Sequence, residues 1–595
     1  MADQQDQGCI NLRWALALME GLIGGGMRQL VISPGSRSTP LVLAAQRLPA
    51  LELTIVLDER SAAFFALGAA LASDRPVGLV CTSGSAPAHW LPAVIEASES
   101  EIPLILLSAD RPPELRGWGA NQTIDQTGLF AGYVREFRDP GPAEDTPAGL
   151  KMIRTLGLRA AANSLGQPPG PVHLNLPFRE PLVPGPDCAV FARGEPSSAT
   201  TPETQRSDGT ASRPRRPEWS WSTGAVPADT PPLASGRGII CCGPGAWTAH
   251  AAADLWACAA RRDLPVLCDP LSGLRSGPAG PHRITRYDSF LRNPGAAAAV
   301  RPDWVLRFGR APVSKTLMSW LAGIPTVLID AGERWSDPNH DVSWRIPAEP
   351  ATVCRWLAWA DRAAPQSGSA AADWMRRWTR VEAHVDQFAT RYMEQAPWCE
   401  AHVITDLLAL LPGGEGLLCA NSMPIRQLDT WSGSRESRLA VFGNRGASGI
   451  DGQTSTLAGL NAGGVPTTGL LGDLSFLHDL SGLQLMRHLP RPCIVINNGG
   501  GRIFDYLPQH GLPGFEALWR TPVDVDLRRL IEPFGLAHRS VSNGADFREA
   551  MRAALEARRT HPRGQVIEVH VDADLSRQLH QGFWAALRDA EFGVA

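Results

Sequence analysis

The sequence predicts an α/β protein built on three open, mostly parallel sheets. Two observations carry this. First, short apolar runs of strand length alternate with helical stretches in three blocks, from about residue 11 to 182, from 238 to 362, and from 400 to the C-terminus. Strands that read as near-continuous apolar runs separated by helices belong to parallel sheets covered on both faces. Second, the chain has 595 residues. At roughly 150 residues per domain that is enough for three or four separate cores.

The first block, residues 1–190, contains the strand candidates LVIS, TIVLD, VGLVC, PLILLS and VHLNL, and the helical stretch SAAFFALGAALA begins at Ser61. The texture then changes. Residues 191–235 are rich in Ser, Thr, Pro and Arg, the composition of a solvated linker. The SRPRRP stretch within them is too short and isolated to argue for nucleic acid. The second block, 236–365, contains GIICC, LPVLCD, DWVLRFG and PTVLID. A helical linker occupies 366–399. The third block, 400–595, contains GLLCANS, LAVFG, TGLLGD, CIVINN and QVIEVHVD. The similar texture of the first and third blocks would suit an ancient duplication, which sequence alone does not establish. The final stretch, LSRQLHQGFWAALRDAEFGVA, is amphipathic and would cover either the site or a subunit contact.

Bulk properties exclude several functions. A formal net charge of -4 asks for neither nucleic acid nor an anionic membrane. Local Arg residues beside Gly and Ser suit small anionic ligands better. The 11 Cys include no C-x-x-C pair, so neither a zinc knuckle nor a redox motif is expected, and reduced, buried thiols are. The N-terminus lacks a basic region followed by an apolar core. No apolar run approaches about 18 residues. A soluble, cytoplasmic enzyme without a membrane span is the expectation.

The sharpest local pattern lies in the third block. The apolar run Thr468–Leu471 ends in Gly472-Asp473; a helical stretch and a second apolar run, Cys493–Ile496, then lead to Asn497-Asn498 and three glycines. In a parallel sheet both run ends fall at the carboxyl edge, where α/β proteins bind ligands. Asp473 would supply an anionic oxygen, Asn498 a neutral amide oxygen, and Gly500 a carbonyl that glycine's backbone freedom can turn inward. Mg²⁺ takes such oxygen ligands and completes its octahedron with water and phosphate. Taken separately, Gly-Asp and Asn-Asn also occur as ordinary turns and helix caps.

That pattern is shared by thiamine diphosphate (ThDP) enzymes. Over its length the chain resembles one ThDP family, the 2-succinyl-5-enolpyruvyl-6-hydroxy-3-cyclohexene-1-carboxylate synthases of menaquinone and phylloquinone formation. The resemblance is carried by ISPGSRSTPL, LDERSAAFFALGAA, SADRPPELRGWGANQTIDQ, NRGASGIDG, GDLSFLHDLSGL and NNGGGRIFDYLP. It implies pyrimidine-binding, central and diphosphate-binding domains, and ThDP with Mg²⁺, for which Mn²⁺ could substitute. It also implies a homodimer or homotetramer whose active site lies at the subunit interface.

The resemblance further implies residue roles. Glu59 would bond the aminopyrimidine and exchange a proton with it; by sequence alone, Asp58 and Glu59 equally suit the first turn of a helix. Glu59, Gln122 and Arg37 would be catalytic. Ser422, Ile450, Asp473, Leu474, Ser475, Asn498, Gly500 and Ile503 would contact the cofactor, with Ile450 as the apolar wedge beneath it. Asp473, Asn498 and Gly500 would hold the metal. The substrates implied are 2-oxoglutarate and isochorismate, both dicarboxylates, which suit Arg clamps. Their binding residues would be Ser36, Arg37, Arg111, Asn121, Gln122, Lys315, Arg426, Arg445, Phe504 and Leu507. Any isolated Arg among these could instead be a solvated ion pair, and the apolar residues could be core. The competing function is another ThDP-dependent carboligase or 2-oxo acid decarboxylase, of the acetolactate synthase kind.

Overall fold

The computed structural model describes residues 6–192, 236–245, 247–332, 335–359, 369–556 and 563–592. Nearly all of the Ser/Pro-rich stretch 191–235, including SRPRRP, lies outside the described residues. Among the described residues three six-stranded sheets run in chain order, and all of their strand pairs are parallel.

The first sheet contains β1 (Gln29–Ile32), β2 (Glu52–Ile55), β3 (Val77–Cys81), β4 (Leu104–Asp110), β5 (Glu136–Arg138) and β6 (Val172–Pro177), in the order β2-β1-β3-β4-β6-β5. All seven residues of β4 are buried. Each fully buried Leu or Ile there contributes about 1.5–3 kcal/mol, which is why the strand reads as one apolar run. The second sheet contains β7 (Gly238–Cys242), β8 (Val266–Cys268), β9 (Arg283–Ile284), β10 (Trp304–Phe308), β11 (Thr326–Ile329) and β12 (Val342–Ile346), in the order β12-β11-β10-β7-β8-β9. The third contains β13 (Glu415–Cys419), β14 (Leu439–Phe442), β15 (Thr467–Gly472), β16 (Cys493–Asn497), β17 (Ala537–Val541) and β18 (Gln565–His570), in the order β14-β13-β15-β16-β18-β17.

The chain divides into two compact units. One comprises Met1–Ser222 with Arg445–Gly464; the other comprises Thr223–Asn444 with Val465–Ala595. The first unit therefore includes the helix Gln453–Ala462, which lies between β14 and β15 in sequence. That helix packs against the helix Glu59–Ser73 at backbone contact. A Cβ on Gly68 would lie 2.2 Å from the Thr456 carbonyl oxygen, and one on Gly459 would lie 2.0 Å from that of Phe65. Only glycine permits this approach at either position.

In the second unit a 27-residue helix, Ser369–Gln395, follows the second sheet. It buries Trp374, Trp378, Val381, Val385 and Ala389, a stripe at helical spacing. The second and third sheets are tied by Arg275, which is 6% exposed. Its guanidinium donates to the Cys268 and Asp429 carbonyls, the Tyr287 hydroxyl and the Asp429 carboxylate. A buried charge of this kind is tolerated because every side of it is hydrogen-bonded. The C-terminal helix Ala573–Arg588 buries Ser576, His580, Phe583 and Leu587 in the same unit.

The thiol expectation needs one correction. Nine cysteines are free and buried, but Cys9 and Cys188 form a disulfide between residues 179 positions apart. The helix beginning at Gln7 and the segment after β6 bring the two α-carbons to 5.7 Å, a separation that sequence spacing does not reveal. Among the described residues no helix is long and apolar enough to cross a membrane.

Candidate functional site

In the first unit the candidate residues lie at the carboxyl edge of the first sheet. Ser36 and Arg37 follow β1, Glu59 follows β2, and Arg111 follows β4. Asp58 is the cap of the helix Glu59–Ser73, its carboxylate accepting from the backbone N–H of Arg60 and Ser61. The cap is thus filled by Asp58, and Glu59 stands half-buried as the first helical residue. Ile55 and Leu57 beside it are large apolar residues left 60% and 72% exposed.

Arg37 is buried. It donates to the Phe178 carbonyl at 2.9 Å and to the Glu180 carboxylate at 2.6 Å. Arg111 lies within range of its charge; burial first, and then Arg37, pushes the Arg111 guanidinium below its usual range. The carboxylates of Glu180 and Asp110 act on Arg111 in the opposite direction, so the two guanidinium groups are partly balanced. Ser36 is exposed, as are Asn121 and Gln122. Gln122 has φ 54° and donates from Nε2 to the Ser83 carbonyl, while the Ser83 hydroxyl donates to the Gln122 carbonyl. The loop after β3 and the loop bearing Gln122 are therefore locked together.

The segment bearing Arg445 and Ile450 rests on a carboxylate that the sequence reading missed. Glu96, 3% exposed, accepts from the backbone N–H of Gly446 at 2.7 Å, of Ala447 at 2.8 Å and of Ser448 at 3.3 Å, and from the Ser100 hydroxyl. Three successive N–H groups converging on one carboxylate form a charge-assisted cradle. Ile450, four residues after Gly446, is half-buried. A signal for Glu96 existed: it lies on the buried face formed by Ala93, Val94 and Ala97.

In the second unit the remaining candidates again follow strands, now of the third sheet. Ser422 follows β13, with φ 72° at the start of the helix Met423–Trp431. Its carbonyl accepts from the exposed Arg426. Asp473 follows β15, Asn498 follows β16, and Gly472 pairs with Ile496 across the two strands. One Asp473 oxygen accepts from the N–H of Gly499 at 2.9 Å and of Gly500 at 2.8 Å; the other accepts from Leu474. Gly500 has φ 121°, and a Cβ there would lie 2.5 Å from the Arg520 carbonyl oxygen. Ser475 is buried; Leu474, Ile503 and Phe504 are half-buried; Leu507 is exposed. Lys315 lies apart from this edge, exposed at the start of the helix Lys315–Leu321 in the second sheet's layer.

The Asp473 carboxyl is raised above its usual range, chiefly by burial, and the groups opposing that are backbone N–H donors. A buried carboxylate held by neutral donors next to an amide and a glycine turn is an environment that a divalent cation and a diphosphate would complete. Asn498 in turn donates from Nδ2 to Glu400 at 2.7 Å. The other Glu400 oxygen accepts from Gln427 Nε2 at 2.6 Å, and Gln427 Oε1 accepts from the Trp431 indole at 2.9 Å. The sequence reading missed this chain as well. Its trace is a carboxylate heading the stripe Glu400, Val403, Ile404, Leu407.

Comparison with known proteins gives the family. The thiamine pyrophosphate enzyme N-terminal TPP binding domain matches residues 13–129, and the middle domain of thiamine pyrophosphate enzymes matches 225–418. The 2-succinyl-5-enolpyruvyl-6-hydroxy-3-cyclohexene-1-carboxylate synthase of Geobacillus kaustophilus is 41% identical over 581 residues, covering 96% of this chain and 97% of its own. The chain belongs to this synthase family. The synthases of Dechloromonas aromatica, 40% identical over 93% of this chain and 98% of theirs, and of Haloarcula marismortui, 38% identical over 95% and 96%, extend the match. As a member of the synthase family, the protein is a ThDP-dependent transferase with three parallel-sheet α/β domains.

Proposed function

We propose that the protein decarboxylates 2-oxoglutarate and joins the resulting four-carbon unit to isochorismate. The products are 2-succinyl-5-enolpyruvyl-6-hydroxy-3-cyclohexene-1-carboxylate and carbon dioxide. The observation that carries this reading is the end-to-end match to the synthases, 41% identical over 96% of the chain. The neighbouring guanidinium groups of Arg37 and Arg111 support it, because both substrates are dicarboxylates.

In this reading ThDP supplies the electron sink for decarboxylation. Glu59 holds and moves a proton at the aminopyrimidine. Ile450, Ser422, Leu474, Ser475 and Ile503 are cofactor contacts in this reading, and Glu96 holds the backbone just before Ile450. Asp473, Asn498 and the Gly500 carbonyl hold Mg²⁺, or Mn²⁺ in its place, against the diphosphate. Arg37, Arg111 and Arg445 bind substrate carboxylates, assisted by Ser36, Asn121, Lys315 and Arg426. Gln122 orients the reacting oxygen, and Phe504 and Leu507 form an apolar rim that keeps water from the reacting carbon.

A homodimer or homotetramer belongs to the same reading. It is supported by the exposed Ile55, Leu57 and Trp118 beside the candidate residues of the first unit. The test is to combine purified protein, ThDP, Mg²⁺, 2-oxoglutarate and isochorismate and to follow product mass. Loss of both substrates with appearance of the cyclohexene carboxylate is expected. Turnover of pyruvate in their place would shift the assignment to an acetolactate synthase-like carboligase.

A further inference from the structure

The chain Trp431–Gln427–Glu400–Asn498 has a direction that chemistry imposes. An indole N–H can only donate. Gln427 must therefore turn Oε1 toward Trp431, as observed at 2.9 Å, which leaves its amide N–H₂ facing Glu400. Glu400 is fully enclosed, only 4% exposed, at the head of the helix Glu400–Leu410. It accepts from Gln427 on one oxygen and from Asn498 on the other. An acceptor on that side of Asn498 draws Nδ2 toward it and leaves Oδ1 on the opposite side of the amide. Amide oxygen and nitrogen have nearly the same shape, so packing alone cannot choose between them. The hydrogen-bond chain does.

We infer that Glu400 is a positioning residue for the metal site: by accepting from Asn498 Nδ2 it commits Asn498 Oδ1 to the cation. The inference rests on the reading of Asn498 as a metal ligand and adds the group that orients it. Trp431 and Gln427 set the polarity from the far end. An Asn498 amide turned the other way would present N–H₂ to Mg²⁺, which takes oxygen and not a protonated nitrogen. Partners one step removed from a metal typically carry about 10- to 100-fold in metal affinity.

The test uses substitutions that preserve volume. In Glu400→Gln, the new amide must accept from Gln427 with its oxygen, so its N–H₂ faces Asn498 and demands Oδ1. That turns the ligand around. In the double variant Glu400→Gln with Gln427→Glu, the carboxylate moves one link along the chain. At position 427 it accepts from both Trp431 and the amide introduced at position 400. The oxygen of that amide again accepts from Asn498 Nδ2.

The measurement is Mn²⁺ affinity of the full-length protein with ThDP present, read from the electron paramagnetic resonance of free Mn²⁺, with near-ultraviolet circular dichroism to establish folding. Glu400→Gln should bind Mn²⁺ about 10- to 100-fold more weakly, and the double variant should recover to within about threefold of the parent. Asn498→Ala separates the two readings. If it binds Mn²⁺ as the parent does, Asn498 is not a ligand and the inference fails with that reading. If it loses Mn²⁺ while Glu400→Gln keeps it, the ligand reading stands and the positioning role is overturned. A folded double variant no better than the single one also overturns it. Should Glu400→Gln alone fail to fold, the double variant decides: parent-like affinity supports the inference, and loss overturns it.

Discussion

The first and third sheets share one strand order and carry opposite chemistry. Numbered within each sheet, both run 2-1-3-4-6-5, whereas the central sheet runs 6-5-4-1-2-3. Equivalent strand ends can therefore be matched. After the first strand come Ser36 and Arg37 in one sheet and Ser422 in the other. After the second come Glu59 and Arg445, and after the fourth Arg111 and Asn498. The third strand is followed by Ser83 and Gly84 in the first sheet, but by Asp473 in the third. Shared topology sets where candidate groups emerge, at the carboxyl edge beside the switch in strand order. The residues placed there decide what they do. The first sheet leaves a half-buried carboxylate and two neighbouring guanidinium groups, suited to proton transfer and carboxylate binding. The third buries its carboxylate among backbone donors, suited to a cation.

The comparison can be broken most severely at Glu59. Glu59→Gln removes the carboxyl proposed to exchange a proton, while Asp58 keeps the helix cap. Carboligation should fall by about 10²- to 10⁴-fold with the thermal midpoint unchanged. Retention of full activity would remove the first sheet's assigned chemistry. Asp473→Asn, which keeps shape but removes charge, should cost about 100-fold or more in Mn²⁺ affinity. Treating the parent with a chelator should abolish activity reversibly, with Mg²⁺ restoring it. Equal metal affinity in parent and variant would contradict the contrast drawn between the sheets.

A smaller effect is expected at Arg37. Arg37→Lys keeps the charge but loses the fork that spans the Phe178 carbonyl and Glu180. The KM of one dicarboxylate substrate should rise about 10- to 100-fold, as loss of charged hydrogen bonds implies. An unchanged KM for both substrates would assign Arg37 to structure only.

The smallest expected effect concerns pH. Among the described residues His173 is buried in the first unit, bonded to Ser108, and His580 in the second, where its ring nitrogens have no hydrogen-bond partner. Burial lowers both to about 3 from 6.5. Below pH 6.5 the unfolded chain takes up protons that the folded chain refuses. Stability is therefore full above pH 6.5 and declines as pH falls toward 3, by up to about 1.4 kcal/mol per pH unit for each histidine. His580→Leu should flatten part of the fall in thermal midpoint between about pH 7.5 and 5. An equally steep fall in that variant would assign the acid sensitivity to other groups.

Much of the fold was legible because buried strands are apolar runs. The strands that sequence reading did not find are β5, β9, β12 and β17, and each is an edge strand. Three are half-exposed and carry charged residues (EFR, VSWRI and AHRSV), and β9 is only two residues long. An edge strand packs on one side alone, so its sequence need not be apolar. The site divides in the same way. Asp473 and Asn498 could be proposed in advance because each follows an apolar run, and Glu59 because of the family resemblance. Glu96 and Glu400 could not, since a lone carboxylate on an apolar helix face says only that some partner exists.

By itself the sequence determined the class of fold, because strand periodicity is a local property, and the family with its ThDP chemistry, because the motifs that carry the resemblance are short and local. Only the tertiary structure decided that Cys9 meets Cys188, that Glu96 cradles residues 446–448, and that Glu400 accepts from Asn498. The partners in these contacts lie about 100 to 350 positions apart. Side-chain chemistry shows that a buried carboxylate or thiol needs a partner; the crossings of the folded chain choose which one it gets.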